Sequence, residues 1–420
     1  MKRRLLLPAL GLALAIAAAP FASAANTAHR SFTPAPHRKP APLVNHSWTP
    51  KPLRIIGFVP TSYPSAKILR AFPEAIAQST WIKAFDKAYG IPDSPAPIGE
   101  GFLVDPATLP TLTSTSTVND LMTFLDQHVD SDRITQDARY QTIFILYLPC
   151  TPPQALDGFG CLSHHPAIPV KDSDTRYTAL DSFATVEFQP SAGIDSRNRA
   201  TAVAIHEIIE AGTHTGGIGW YLKADDPNKP WQSSSPFVED EGSGTIEAAD
   251  ILQGSRWFEK YQPAGFAQAI RYEYARAYSP FGNAHRDDPG VPISPHPYYN
   301  VSSSRNWYGA ARGATTTIKL HGWSTKLVGA DGTWAVNADF TGWLSSSSRQ
   351  GATAQPNPCT LVKTHWTTKN GGTFELSVKM KRNAPKNTYC VVRLESAISP
   401  IPPNGDAYHP WFIGFTPSLA

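Results

Sequence analysis

The spacing of apolar positions divides the chain into two textures. Up to about residue 280 the apolar residues come in continuous runs or at helical intervals. Leu53-Arg-Ile-Ile-Gly-Phe-Val59 reads as a strand ended by Pro60, and Ser65 to Tyr89 as helix broken near Pro73. Ser116 or Thr117 can cap a helix over Val118–His128, whose Leu121, Phe124 and Leu125 form one stripe. Thr142-Ile-Phe-Ile-Leu-Tyr-Leu148 is the unbroken run expected of a central strand covered on both faces. Phe183–Phe188 gives a further strand, and Ala202–Gly212 a helix with Val203, Ile205, Ile208 and Ile209 on its buried side. Ile246–Leu252 is expected to be helical or turn-like, and Phe266–Tyr278 helical. The Pro- and Gly-rich residues 279–312 read as a surface connection.

From Thr315 the period changes to two. Thr315–Leu320, Thr325–Val328, Trp334–Phe340, Leu361–Trp366, Phe374–Met380 and Tyr389–Leu394 cluster β-branched and aromatic residues between turns such as Asn370-Gly371-Gly372. That is the pattern of a small all-β sandwich.

The first residues add a compartment. Lys2, Arg3 and Arg4, the apolar stretch Leu5–Ala19 and Ala22-Ser23-Ala24 have the form of a secretory signal over residues 1–24, too short and too interrupted by proline to serve as a membrane anchor. Residues 25–52, rich in Pro, His, Ser and Lys, read as a disordered or extended leader. Without the three basic residues of the signal, 34 of the 37 Lys+Arg remain against 34 Asp+Glu, a balance that argues against nucleic acid as a partner. Four cysteines in an exported chain suggest disulfides, with local spacing favouring Cys150–Cys161 and Cys359–Cys390. Asn45-His-Ser47 and Asn300-Val-Ser302 fit the glycosylation pattern of a eukaryotic host.

The candidate chemistry sits on the helix His206-Glu-Ile-Ile-Glu210. Residues four apart share a helix face, so His206 and Glu210 offer an imidazole and a carboxylate to one ion, and Glu207 lies about 100° away. This is the layout of a zinc-hydrolase helix, with Glu in place of the commoner second His. A catalytic zinc takes three protein ligands, and the third has several sources here. Glu247 in Glu247-Ala-Ala-Asp250 ranks first, Asp250 second and His214 third; His164 and His165 are more remote. Whichever acid of the Glu247/Asp250 pair does not bind the ion can orient a ligand imidazole. Glu207 is the expected general base, and Tyr221 a weaker candidate for steadying negative charge in the transition state. A site with this many carboxylates also suits calcium.

His206-Glu-Ile-Ile-Glu-Ala211, then Trp220-Tyr221, then Glu247-Ala-Ala-Asp250 resembles secreted EXORDIUM-like (phosphate-induced) proteins and their bacterial relatives. Those show a His-Glu-x-x-Glu helix, a Trp-Tyr segment and a Glu-x-x-Asp segment in the same order. The resemblance spans residues 140–255 and implies an extracellular zincin-like domain. Gly212-Thr213-His214 departs from the acid or amide usual after that helix, and no Cys follows Ile251-Leu252.

The sequence reading is therefore an α+β zincin-like domain over 53–310 followed by a small all-β sandwich domain over 314–420. The expected function is a secreted zinc-dependent metallopeptidase acting on peptide or protein, with polysaccharide contact through the C-terminal part. The alternative is a non-catalytic extracellular binding protein with a structural metal site.

Overall fold

The computed structural model describes residues 44–46, 49–109, 118–128, 134, 137–149, 164–169, 182–188, 193–215, 218–223, 245–247, 255–279, 290–293, 297–329, 331–340, 357–385, 388–399 and 405–418. The first part contains, in order, β1 (Val44–His46), β2 (Leu53–Pro60), α1 (Ala66–Arg70), α2 (Phe72–Gln78), α3 (Thr80–Tyr89), β3 (Ile98–Val104), α4 (Val118–His128), β4 (Gln141–Pro149), β5 (His164–Pro169), β6 (Ser182–Phe188), α5 (Gly193–Thr213), β7 (His214–Thr215), β8 (Ile218–Lys223) and β9 (Thr245–Glu247).

Five of these strands form a sheet in the order β3-β2-β4-β6-β5. The β2–β3, β2–β4 and β4–β6 pairs are parallel, and β5 runs antiparallel along β6 at the edge. A parallel sheet must be covered on both faces, which explains the unbroken apolar runs of β2 and β4. On one face Leu53, Ile55, Ile143 and Ile145 join a core with Phe72, Trp81, Ile205 and Ile209. On the other, Ile56, Phe58, Phe144 and Leu146 pack with Phe124 and Leu125 of α4. Gly99 and Gly101 let α1 and α2 lie directly on β3: a Cβ at either would run into the carbonyl of Pro73 or Arg70. The predicted break near Pro73 is real, since the 65–89 stretch folds as three short helices.

The second part holds β10 (Arg256–Tyr261), β11 (Ile270–Ala275), β12 (Tyr299–Ser302), β13 (Trp307–Ala311), β14 (Thr315–Ser324), β15 (Thr333–Phe340), β16 (Cys359–Leu361), β17 (His365–Lys369), β18 (Thr373–Met380), β19 (Cys390–Ala397) and β20 (Gly405–Ser418). They make a seven-stranded sheet, β11-β10-β20-β19-β15-β17 with β13 parallel to β20, and a four-stranded sheet, β12-β14-β18-β16. Alternate residues point inward: Ile318, Leu320, Leu376, Val378 and Met380 from the smaller sheet and Trp334, Val336, Val392, Leu394 and Trp411 from the larger are buried in one cluster. The predicted Cys359–Cys390 disulfide is present and joins β16 of one sheet to β19 of the other, with Cα atoms 6.2 Å apart.

The expected α+β zincin-like domain with a small sandwich appended is corrected by this architecture. Strands dominate the described residues: twenty strands in four sheets stand against five α-helices. Two misread stretches account for much of the difference. Phe266–Tyr278 is not helical but contains β11, where Ile270, Tyr272 and Tyr274 are buried and alternate with Arg271 and Glu273. Residues 279–312 contain β12 and β13 as well as loop. Through the β10–β20 pairing, residues 256–275 share a sheet with residues 405–418. Thr325–Val328 is not a strand, and the Leu361–Trp366 segment divides between β16 and β17.

Polar contacts tie the helices to the larger sheet. Trp81 Nε1 donates to the Ala275 carbonyl at 2.9 Å, Tyr89 OH to the Tyr278 carbonyl at 2.6 Å, and Tyr272 OH to the Ile68 carbonyl at 2.9 Å. Glu259 on β10 accepts the backbone N–H of Thr80 at 2.7 Å and lies 3.4 Å from that of Trp81, so its carboxylate caps the start of α3. Asn300 is fully buried with its amide hydrogen-bonded inside the protein, which removes Asn300-Val-Ser302 as a glycosylation acceptor in the folded chain. No helix among the described residues is long and apolar enough to cross a membrane. The signal segment and Cys150 and Cys161 lie outside the described residues.

Candidate metal centre

Helix α5 carries the site. Ala200, Ala202, Ala204 and Ala211 supply strong helix formers, while Ile205, Ile208 and Ile209 bury themselves in the main core. The helix is fixed at several points. Thr201 Oγ1 lies 2.9 Å from the Glu273 carbonyl of β11. Near the other end, Gln141 at the start of β4 donates from Nε2 to the Ala211 carbonyl at 2.6 Å, and Thr213 Oγ1 donates to the Ile209 carbonyl at 2.6 Å. The Gln141 bond satisfies a carbonyl that the last turn leaves without a helical partner. Gly212 does not end the helix, as the sequence suggests it should. A Cβ there would meet Leu53 and Phe85 at 3.4 Å, so the glycine lets α5 pack closely while helix continues to Thr213.

His206, Glu207 and Glu210 converge. One ligand atom from each lies within 4.8 Å of the other two, and His206 Nε2 is 2.8 Å from Glu210 Oε1. Relative exposures of 6%, 0% and 5% put all three in the interior. Burying carboxylates is costly unless they are paired, and a cation held between them and the imidazole would offset that cost. One imidazole nitrogen and two carboxylates form a donor set that zinc accepts and that calcium accepts less readily, since calcium prefers oxygen alone. The residues therefore fit a divalent ion. The i, i+4 expectation for His206 and Glu210 matches the geometry.

The other predicted residues are placed by backbone only. His214 leaves the helix and becomes the first residue of β7, so it does not extend the 206–210 face. Glu247 lies on β9, directly opposite Tyr221 of β8, in strand and not in the expected helix or turn. The side chains of His214, Tyr221 and Glu247, and Asp250 altogether, lie outside what is described. His164 and His165 are on the edge strand β5, opposite Val186 and Thr185.

Two buried polar residues near these elements were missed by the sequence reading. Gln141, which holds the end of α5, was signalled only as a polar residue opening an apolar run. Asp86 on α3 is 2% exposed, and burial, reinforced by Asp93, pushes its carboxyl up to about 7. It sits one position after buried Phe85 in a helix whose other charged residues, Lys83 and Lys87, remain outside the core.

No protein-family profile matches the chain, and no curated protein matches it. Among solved structures it is similar to the PapD-like domain 7 of human CEP192, at 7% identity and TM-score 0.20, over 29% of this chain and 86% of that one. It is similar to WR4, a C. elegans MSP family member, at 10% identity and TM-score 0.18, over 29% and 97%. A β-glucosidase from Listeria innocua matches at 8% identity and TM-score 0.17, over 90% of this chain and 48% of that one. Likenesses at this level carry no weight for fold or activity.

Proposed function

We propose that the chain is a secreted zinc-dependent hydrolase acting on peptide bonds, with His206 and Glu210 holding the metal, Glu247 as third ligand and Glu207 as general base. The supporting observation is the convergence of His206, Glu207 and Glu210 within 4.8 Å on one anchored helix. Zinc, when bound, supplies Lewis acidity to water and to a substrate carbonyl. The protein's own part is to hold the donors fixed and to move a proton. Glu207 takes a proton from water on one of its carboxylate oxygens and hands it to the departing amine.

Purified full-length protein is expected to retain close to one zinc per chain at this cluster by elemental analysis. Glu207→Gln should keep that zinc and lose peptide hydrolysis by at least about 100-fold, the lower end of what a general base contributes. Cleavage of a peptide library at an unchanged rate by this variant would end the assignment.

The burial of all three residues favours a second reading. A closed cluster is what a structural metal site needs, and a non-catalytic extracellular binding protein would use it to stiffen α5 while the sandwich contacts a polysaccharide. Zinc retained alongside no cleavage by the unsubstituted chain selects this reading, and calcium in place of zinc selects it more firmly.

A further inference from the structure

Charge is divided unevenly along a chain whose total is nearly balanced. Residues 297–420 hold 12 Lys+Arg against 5 Asp+Glu, which leaves 22 against 29 for residues 25–296. Such an asymmetry points to an anionic partner for the basic part. No Asp or Glu occurs in residues 289–330, 340–374, 376–394 or 407–420. Of the acids the sandwich does carry, Asp339 pairs with Arg393 at 2.6 Å, Asp331 accepts the Thr333 backbone N–H at 3.0 Å, and Glu375 stands opposite Lys319.

Several of the acid-free segments meet at one end of the sandwich. The Gly313 N–H donates to the Met380 carbonyl at 2.9 Å, the Met380 N–H to the Ala314 carbonyl at 3.0 Å, and the Lys381 N–H to the Pro358 carbonyl at 2.8 Å. Lys379 stands opposite Thr315 of β14 and Thr360 of β16. A Cβ on Gly313, which has φ +78°, would lie 2.7 Å from Arg382 Cγ, so the Arg382 side chain crosses the backbone one residue after Arg312. Lys379, Lys381 and Arg382 are exposed. Arg312 is half-buried, and its Nε is closed off from solvent with no hydrogen-bond partner among the described residues. None of the four makes an ion pair among the described residues. Like charges gathered at one end without counter-charge repel one another, and a polyanion laid across them relieves that repulsion.

The groups beside these cations are hydroxyls. Directly opposed residues share a sheet face, so Thr315, Lys379 and Thr360 make one exposed row on the outside of the smaller sheet. Thr317 and Ser377, 2.8 Å apart at their hydroxyls, make the next. No Phe, Tyr or Trp is exposed among the described residues, and such rings are what nucleic-acid bases stack upon. Guanidinium and ammonium groups flanked by hydroxyls instead match a sugar chain that carries charge, the arginine fork pairing with planar or tetrahedral anions. We propose that the end of the sandwich formed by Arg312, Lys379, Lys381 and Arg382 binds an acidic polysaccharide, one bearing carboxylate or sulfate groups. This deepens the reading in which the sandwich contacts a polysaccharide and rests on it. Nothing in it depends on His206, Glu207, Glu210 or Glu247.

The test measures binding of the full chain to immobilised polygalacturonate, dextran sulfate and neutral dextran. Affinity for at least one of the two acidic polymers should exceed that for dextran and fall about 10-fold or more between about 50 and 200 mM NaCl, as displaced counterions require. The triple variant Lys379→Gln/Lys381→Gln/Arg382→Gln alters exposed side chains only and should weaken that binding about 10-fold or more with unchanged thermal melting. Lys319→Gln/Lys326→Gln/Lys369→Gln removes the same charge elsewhere on the sandwich and should stay within about twofold of the unsubstituted chain. Equal losses in the two triple variants overturn the site, because binding then follows net charge alone. Duplex DNA or phosphatidylglycerol vesicles bound more tightly than both acidic polymers overturn the choice of partner. Binding to dextran as tight as to the acidic polymers, and insensitive to salt, keeps the sandwich as a polysaccharide-contacting part and removes the charged site. Binding to none of the three polymers removes both.

Discussion

Asn300 in the sandwich and Asp86 in the helical layer are both buried polar side chains, and the protein treats them in opposite ways. Asn300 donates from Nδ2 to the Pro410 carbonyl at 2.9 Å and to Tyr298 OH at 3.2 Å. Its Oδ1 accepts from the Val301 N–H at 2.8 Å and from Ser396 Oγ at 3.2 Å. Trp411 Nε1 extends the pattern by donating to Ser303 Oγ at 3.1 Å. Asp86 Oδ1 has no hydrogen-bond partner among the described residues. On α5, three ionisable groups are packed against one another. Around Asn300 the sandwich uses neutral, hydrogen-bonded polar groups to fix how its sheets meet, and such a network specifies packing at little electrostatic cost. The helical layer holds Asp86 and the α5 cluster in its interior, where burying an ionisable group costs stability.

The largest effect that would sharpen this contrast is loss of the inter-sheet bond. Cys359→Ser with Cys390→Ser opens a closure of 31 residues and should cost about 3–4 kcal/mol by the loop-entropy estimate. Chemical denaturation measures the loss, and metal content should not change if the two parts are as separate in function as in chemistry. Loss of zinc in the folded double variant would break the comparison.

A smaller effect should be confined to Asp86. A carboxyl whose folded pKa is raised to about 7 contributes most below its unfolded value near 4, and that contribution is lost as pH rises through 7. Unfolding free energy is therefore expected to decline from pH 4 to 7 through this group and then level. Asp86→Asn should flatten that decline and gain about 2 kcal/mol at pH 8, less than the full linkage value because a buried amide also needs partners. An unchanged slope in the variant would place the pH dependence elsewhere.

The smallest effect concerns the junction. Glu259→Ala removes the carboxylate that caps α3 from β10 and should cost about 1 kcal/mol, shrinking as salt is added. A cost that salt does not alter would point to packing beside Trp257 in place of charge.

Much of the first sheet was legible because its strands are short apolar runs: Leu53–Val59 and Thr142–Leu148 announce burial on both faces. The aromatic run near Tyr272 was not, because tyrosines at 272, 274 and 278 satisfy both a two-residue and a four-residue interval, and only pairing with β10 decides between them. β20 was missed since Pro410 and Pro417 ordinarily count against a strand. At the site, the His206–Glu210 face follows from helical geometry alone. The opposition of Glu247 to Tyr221 arises from pairing between distant segments, which no local window of sequence contains.

The position of β20 has a consequence for how the chain reaches this state. It pairs with β10, β19 and β13, and without it the seven-stranded sheet falls into a β10–β11 hairpin, the β19–β15–β17 group and an unattached β13. A growing polypeptide therefore cannot close that sheet until residues 405–418 have been made, some 150 residues after β10. Contacts so distant along the chain slow folding and prolong the exposure of open strand edges.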